Sequence, residues 1–210
     1  MNKYVRMLSF VAVLGAVSSG LLTGAKYLTD DLIDANADAL LKSEILTAHE
    51  VDFNFTNIHD VFAAETTIYT YDTIYGDAEI SLTYWQDNTT DRVTIQFGPT
   101  FGGGVWGPII GLLSLESDFN TIVRIAILQQ EETPGLGGVV ATRTYLDQFV
   151  GKTFDEGLEI IKGLDVSAAA DNEVPAITGA TRTSNQFQII LNNAFTTHAS
   201  VWADNAESRA

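Results

Sequence analysis

Thr66–Gln129 reads TTIYTYDTIYGDAEISLTYWQDNTTDRVTIQFGPTFGGGVWGPIIGLLSLESDFNTIVRIAILQ. Thr66–Tyr71, Glu79–Trp85 and Arg92–Phe97 alternate in polarity or are rich in β-branched and aromatic residues, as half-buried strands are. Pro108–Glu116 and Thr121–Gln130 follow as two further strands. Asp87-Asn88 supplies a turn after the second, and Ser117-Asp118-Phe119-Asn120 the hairpin loop between the last two. Outward from this stretch the period changes. Asn185–His198 carries Phe187, Ile190, Leu191, Ala194 and Phe195 on one side, the spacing of an amphipathic helix. Tyr145–Val150 reads as a short helix. The class is therefore α+β, a twisted antiparallel sheet packed with helices.

Upstream, Leu32, Ile33, Ala37, Leu40, Leu41 and Ile45 recur at three- and four-residue intervals from Thr29 to His49, with Asp30, Asp34 and Asp38 on the other face. Thr29-Asp30 starts a new helix here, or an earlier one continues. The acidic face lacks the Gly-centred spacing of a calcium loop and reads as solvated. Before it, Met7–Ala25 (MLSFVAVLGAVSSGLLTGA) holds no charge and approaches the roughly 20 residues that span hydrocarbon as a helix. Lys3 and Arg6 precede this run, and acids follow closely after Lys26. The start is thus expected in the cytoplasm and the rest outside, single-pass in a cell (inner) membrane. A cleaved signal peptide shares the basic start, but the run is long for one and no clear small-x-small site precedes Lys26. A buried helix of a soluble protein is the third reading; the membrane anchor is the one adopted. Ala12, Ala16, Gly20 and Gly24 form a small-residue stripe at which another membrane helix can approach, although such stripes also arise by chance. The expected organisation is a start and anchor over 1–28, an amphipathic connector and lead-in over 29–65, an extracytoplasmic domain over 66–202 and a frayed tail over 203–210.

The 210 residues suit one domain plus an appendage, and 46% of them are hydrophobic, enough for a core. Asp and Glu number 27 against 11 Lys and Arg, a net charge of -16. Such a surface repels a duplex phosphate backbone, so nucleic acid is excluded as a partner, and anionic lipid headgroups are repelled too. With no cysteine there is no disulfide, no thiolate for zinc or iron–sulfur ligation, and no Cys lipidation. His49, His59 and His198 are far apart and read as surface or capping residues; no metal site is expected. No Ser/His/Asp spacing supports a catalytic constellation, so no catalytic residue is assigned.

Three segments have the make-up of a ligand site. Thr178-Gly179-Ala180-Thr181-Arg182-Thr183-Ser184 is a glycine turn feeding a helix whose free N–H groups suit a phosphate, with Arg182 as a nearby cation. Thr183 and Gln186 also match a capping box, the more ordinary explanation of such a start. Glu131-Glu132-Thr133-Pro134-Gly135-Leu136-Gly137-Gly138 places Pro134-Gly135 at the centre of a type II turn. There Glu132 and Thr133 can hydrogen-bond the edge of a flat ligand, or the stretch is a plain loop. Phe101-Gly102-Gly103-Gly104-Val105-Trp106-Gly107-Pro108 pairs a tight or mobile connection with an aromatic lid, Trp106, without the Lys of a phosphate loop. A structural turn with a packed Trp is the alternative.

Taken in order, Gly102–Ile109 (GGGVWGPI), Glu132–Gly137 (ETPGLG), Gln148–Lys152 (QFVGK) and Thr178–Ser184 (TGATRTS) are far more specific. Together they resemble the FMN-binding subunit family of two related complexes. These are the sodium-translocating NADH:quinone reductase, with its C subunit, and the Rnf ferredoxin:NAD oxidoreductase, with its G subunit. The resemblance implies FMN joined through a phosphoester to Thr181 by a separate flavin transferase, with Thr178, Gly179 and Ala180 completing the motif. It implies that Glu132, Thr133, Pro134 and Gly135 belong to the flavin pocket, and Leu136, Trp106, Arg182 and Thr183, from the three segments above, are counted as cofactor-binding with them. The family usually has Asp six residues before the modified Thr; this chain has Pro175, with Asp171 and Glu173 the nearest acids. The implied role is that of an electron-transfer component of a translocase, relaying electrons in one-electron steps between neighbouring membrane redox subunits. The Trp-Gly-Pro stretch looks more like the sodium-pump protein. The Rnf protein, or an FMN electron carrier outside such a complex, stays open.

Overall fold

The computed structural model describes residues 2–209. The chain divides into two compact units, residues 1–40 and 41–210. In the first, helix α1 (Lys3–Ala48) begins, and the connector continues it without a break at Thr29. The Thr29 hydroxyl explains why no new cap forms: it bonds back to the Ala25 carbonyl at 3.1 Å, inside the helix. Lys26 pairs with Asp30 one turn on, at 2.5 Å. An 18-residue window of α1 has a mean hydropathy of 1.8 and none of it is buried, so the helix has the length and composition of a single membrane span.

The second unit is built on one antiparallel sheet: β1 (Thr66–Tyr75), β2 (Ala78–Asp87), β3 (Val93–Phe97), β4 (Ile110–Leu115) and β5 (Ile122–Gln129), in the order of the chain. The first strand runs four residues beyond its predicted end, to a hairpin that was not among the predicted turns. Tyr75 pairs with Ala78 across Gly76-Asp77, and φ is positive at Gly76 (+62°) but not at Asp77, the pattern of a II′ turn. Near β5, Asp118 holds its hairpin by accepting bonds from the Asn120 and Thr121 amides at 2.8 and 2.9 Å.

Both faces of the sheet are covered. Side-chain alternation sends Tyr84, Ile95, Leu113 and Ile125 to one face, under helix α4 (Thr181–Asp204), where Phe187, Ile190, Leu191 and Ala194 have no exposed surface. Their neighbours Trp85, Leu112 and Ala126 point the other way. They meet Ile45 and Leu46 from the end of α1 and Ile58 and Phe62 from α2 (Ile58–Glu65), a helix inside the expected lead-in. Helix α4 is longer at both ends than the predicted Asn185–His198, because Thr183 and Ser184 at its start and Val201 near its end are buried. The predicted helix at Tyr145–Val150 is instead α3 (Arg143–Leu146) followed by a 3-10 turn. Short parallel strands β6 (Glu159–Ile161) and β7 (Glu173–Pro175) lead into α4.

Two further expectations change. His49 and His198 are core residues, 2% and 1% exposed, because each finds polar partners inside: Thr94 Oγ1 lies 3.1 Å from one ring and the Gln96 carbonyl 3.2 Å from the other. The tail is not frayed. Ala206–Arg209 is a 3-10 turn whose Arg209 guanidinium lies 3.5 Å from the Trp202 ring centre.

Candidate functional site

Loops at one end of the sheet and the start of α4 enclose a cavity of about 340 Å3. Val105 and Trp106 form one wall, Glu132, Thr133, Leu136 and Gly137 a second, and Gly179 to Thr183 the third. The three segments picked out in the sequence lie far apart along the chain, and folding brings them to one place.

Each wall has a local cause. After β5, the Leu136 amide donates to the Thr133 carbonyl at 3.1 Å and closes a turn with Gly135 at φ +75°, a conformation that favours glycine. A second such turn precedes α4. There the Ala180 amide donates to the Ile177 carbonyl at 3.0 Å, with Gly179 at φ +82°. Ser184, buried one turn into α4, braces this second turn. Its hydroxyl accepts from the Ile177 amide at 3.0 Å and donates to the Ala180 carbonyl at 3.1 Å. The Gly104 amide donates to the Gly107 carbonyl at 2.9 Å and folds back the loop that carries Trp106.

The start of α4 differs from the expected one. Its cap residue is Ala180, which offers no side-chain acceptor, so among the described residues no side-chain cap closes the first turn. Thr183 does not form the expected capping box. It sits inside the helix, and its hydroxyl donates to Glu132 Oε2 at 2.8 Å. Thr181 and Arg182 beside it are exposed. The positive end of the α4 dipole lies at Thr181, and Arg182 lines the same cavity, a setting that attracts an anion.

Glu132 is the buried member of the site, 4% exposed. Its Oε1 accepts from the amides of Val105 at 2.6 Å and Trp106 at 3.2 Å. Two apolar side chains stand exposed at the rim, Trp106 at 72% and Leu136 at 46%. Of the residues singled out in the sequence, Trp106, Glu132, Thr133, Leu136, Gly179, Ala180, Thr181, Arg182 and Thr183 line this cavity, whereas Pro134 and Gly135 do not. Thr178 faces a neighbouring cavity of about 420 Å3, together with Tyr145, Pro175 and Ile177. Burial raises the Tyr145 phenol well above its ordinary pKa and keeps it protonated there. Val105 and Gly137 line the main cavity and were not among the predicted site residues. Both lie within the quoted segments, but nothing in their side-chain chemistry marked them, since they contribute backbone and the absence of bulk.

Residues 104–196 match the FMN-binding domain family, and that span contains all three walls of the cavity. This part of the chain is similar to FMN-binding domains. Among curated proteins, the C subunit of the Na(+)-translocating NADH-quinone reductase of Pasteurella multocida is 36% identical over 121 residues, 56% of this chain and 45% of that protein. The protein of the same name from Vibrio anguillarum is 36% identical over 103 residues, 47% and 40% of the two chains. The chain thus spans less than half the length of these relatives. Two solved structures share the fold beyond the FMN-binding domain. Shewanella oneidensis NqrC has a TM-score of 0.60 at 21% identity, covering 75% of this chain and 93% of that one. The C subunit of the Na(+)-translocating NADH-quinone reductase of Parabacteroides distasonis has a TM-score of 0.63 at 20% identity, covering 80% and 94%.

Proposed function

We propose that this chain is the membrane-anchored flavoprotein subunit of a sodium-translocating NADH:quinone oxidoreductase, relaying electrons through FMN held covalently on Thr181. The observation that carries the reading is the convergence of three glycine-rich segments on one cavity, with the Thr181 hydroxyl at an uncapped helix start. FMN combines an anionic phosphate with a broad, flat ring system, and the residues present suit both parts. The helix start and Arg182 suit the phosphate, Trp106 and Leu136 offer apolar surface to the ring, and the volume falls within the range of small-molecule sites. When bound, FMN supplies the electron uptake and release that side chains do not provide.

The chain's own part is to hold and orient. A phosphoester at Thr181 removes dissociation as a route of loss, which matters on a chain whose net charge of -16 disfavours reversible retention of an anion. Gly179, at φ +82°, lets the turn approach the site closely; its missing Cβ would stand 3.3 Å from the Leu136 side chain. The apolar helix anchors the domain to the bilayer. Lys3 and Arg6 before the apolar run, with Asp30, Asp31, Asp34 and Asp38 after it, support a cytoplasmic start and an extracytoplasmic flavin domain. Other membrane redox subunits of the complex are the proposed partners, with a flavin transferase acting during maturation. The names of the relatives above favour the sodium pump over the Rnf complex.

The test is co-expression of the full chain with a flavin transferase, followed by a denaturing gel under ultraviolet light and intact mass spectrometry. A fluorescent band that disappears in Thr181→Val and persists in Thr183→Val is the expected result. A bare polypeptide mass in the unaltered chain refutes the covalent reading.

A further inference from the structure

Glu132 poses a question that its position in the cavity wall does not answer. Buried in the wall, this carboxylate already accepts three hydrogen bonds from the chain. Both oxygens accept from the chain itself: Oε1 from the Val105 and Trp106 amides at 2.6 and 3.2 Å, Oε2 from the Thr183 hydroxyl at 2.8 Å. The three donors belong to two segments other than its own. Two glycines close around it. A Cβ at Gly104 would stand 2.5 Å from Oε1, and one at Gly137 would collide with Oε2 and stand 2.6 Å from the Thr183 hydroxyl. Among the described residues, no Lys, Arg or His forms an ion pair with it. Hydrogen bonds to the loop and to the first turn of α4 therefore satisfy the charge, aided by the helix dipole.

The loop it holds carries Trp106, whose indole is 72% exposed and so gains little packing of its own. Beyond the Gly104–Gly107 turn, no side chain among the described residues except Glu132 bonds the amides at 105 and 106. The geometry points to Glu132 as a positioning residue: a buried clamp that fixes the Trp106 loop against the start of α4, so that the indole forms a stationary wall beside Thr181. This deepens the flavin reading and rests on it for what Trp106 faces. The sequence suggested that Glu132 hydrogen-bonds the ligand's edge; its bonds within the chain add a positioning role.

The experiment has two arms, both on the full chain in detergent. The first uses Thr181→Val protein, which can carry no ester-linked flavin, and follows hydrogen exchange of the amides at 105 and 106. Glu132→Ala is expected to speed their exchange by about tenfold to a hundredfold, the weight of a charge-assisted hydrogen bond. Glu132→Gln should restore most of the protection, because its carbonyl still accepts both amides and the Thr183 hydroxyl can accept from its amide. Unchanged amides at 110–129 show that the sheet is intact. Equal protection in Glu132→Ala and the parent overturns the clamp.

The second arm uses flavin-loaded protein with the natural Thr181. Contact with an indole quenches flavin emission, so Glu132→Ala and Trp106→Phe should each brighten it, and Glu132→Ala should add nothing further in the Trp106→Phe background. A freed loop with unchanged flavin emission overturns the positioning role. Failure of the flavin to attach refutes the function proposed above and leaves the first arm to decide the clamp.

Discussion

Replacing Gly137 with Ala adds one methyl group where the structure has no room. Gly137 is the buried first residue of a 3-10 turn, and its φ lies outside the left-handed region, so its backbone conformation does not demand glycine. The objection is steric. The new Cβ would overlap Glu132 Oε2, stand 2.6 Å from Thr183 Oγ1 and 3.1 Å from Glu132 Cβ. It would therefore fall across the 2.8 Å hydrogen bond that joins Thr183 to Glu132. Overpacking of this kind costs about 1–3 kcal/mol, and loss of a hydrogen bond to a buried carboxylate about 1.5–3 kcal/mol. The two overlap, since the movement that relieves the first causes the second, so a total of about 2–4 kcal/mol is expected. For a chain of this size that lowers the unfolding midpoint by roughly 5–15 °C. The assay is thermal unfolding followed by circular dichroism on the full chain in detergent. Gly103→Ala is the control: nothing lies within 4 Å of its Cβ, and a change within about 0.5 kcal/mol is expected. Removing the obstructing hydroxyl with Thr183→Ala should make the double variant lose less than the sum of the two single losses. A Gly137→Ala midpoint equal to that of Gly103→Ala would refute the reasoning.

Two more outcomes follow from the core. His49 and His198 are each held down to about 4, chiefly because burial disfavours the charged ring. The unfolded chain, with histidines near 6.5, then takes up protons first as pH falls, so stability should be flat above about pH 6.5 and drop between there and about pH 4, by up to about 3 kcal/mol per histidine. Denaturant midpoints measured across that interval check the sign, and a flat profile counts against it. Phe187→Ala, at a ring with no exposed surface that lies 5.7 Å from Phe149 and 6.0 Å from Phe97, should cost about 3–5 kcal/mol. Ile189→Ala on the same helix, 45% exposed, should cost about 1 kcal/mol or less by the same equilibrium measurement.

The sequence by itself determined the class of the fold and the segments of the site. Period-two alternation over Thr66–Gln129 and the three- and four-residue spacing of Phe187, Ile190, Leu191 and Ala194 are local properties. They fix which side of each element is apolar before any partner is known. The charge-free run ahead of Lys26 is equally local, because the bilayer responds to length and composition alone. Glycine turns were legible for the same reason, since a positive φ at Gly135 or Gly179 is a demand of the backbone where it stands.

Only the tertiary structure decided what each polar side chain is for. Thr183 carries the sequence of a capping residue, but the helix starts before it, with Ala180 at the cap position, and the Thr183 hydroxyl donates to a buried carboxylate 51 residues away. His49 and His198 look like surface residues until strands supply Thr94 and the Gln96 carbonyl to their rings. Gly137 and Val105 enter the site through space and backbone, which no side-chain pattern announces. A hydrogen bond depends on positions in three dimensions and on what water has been displaced, and neither quantity is periodic along a chain.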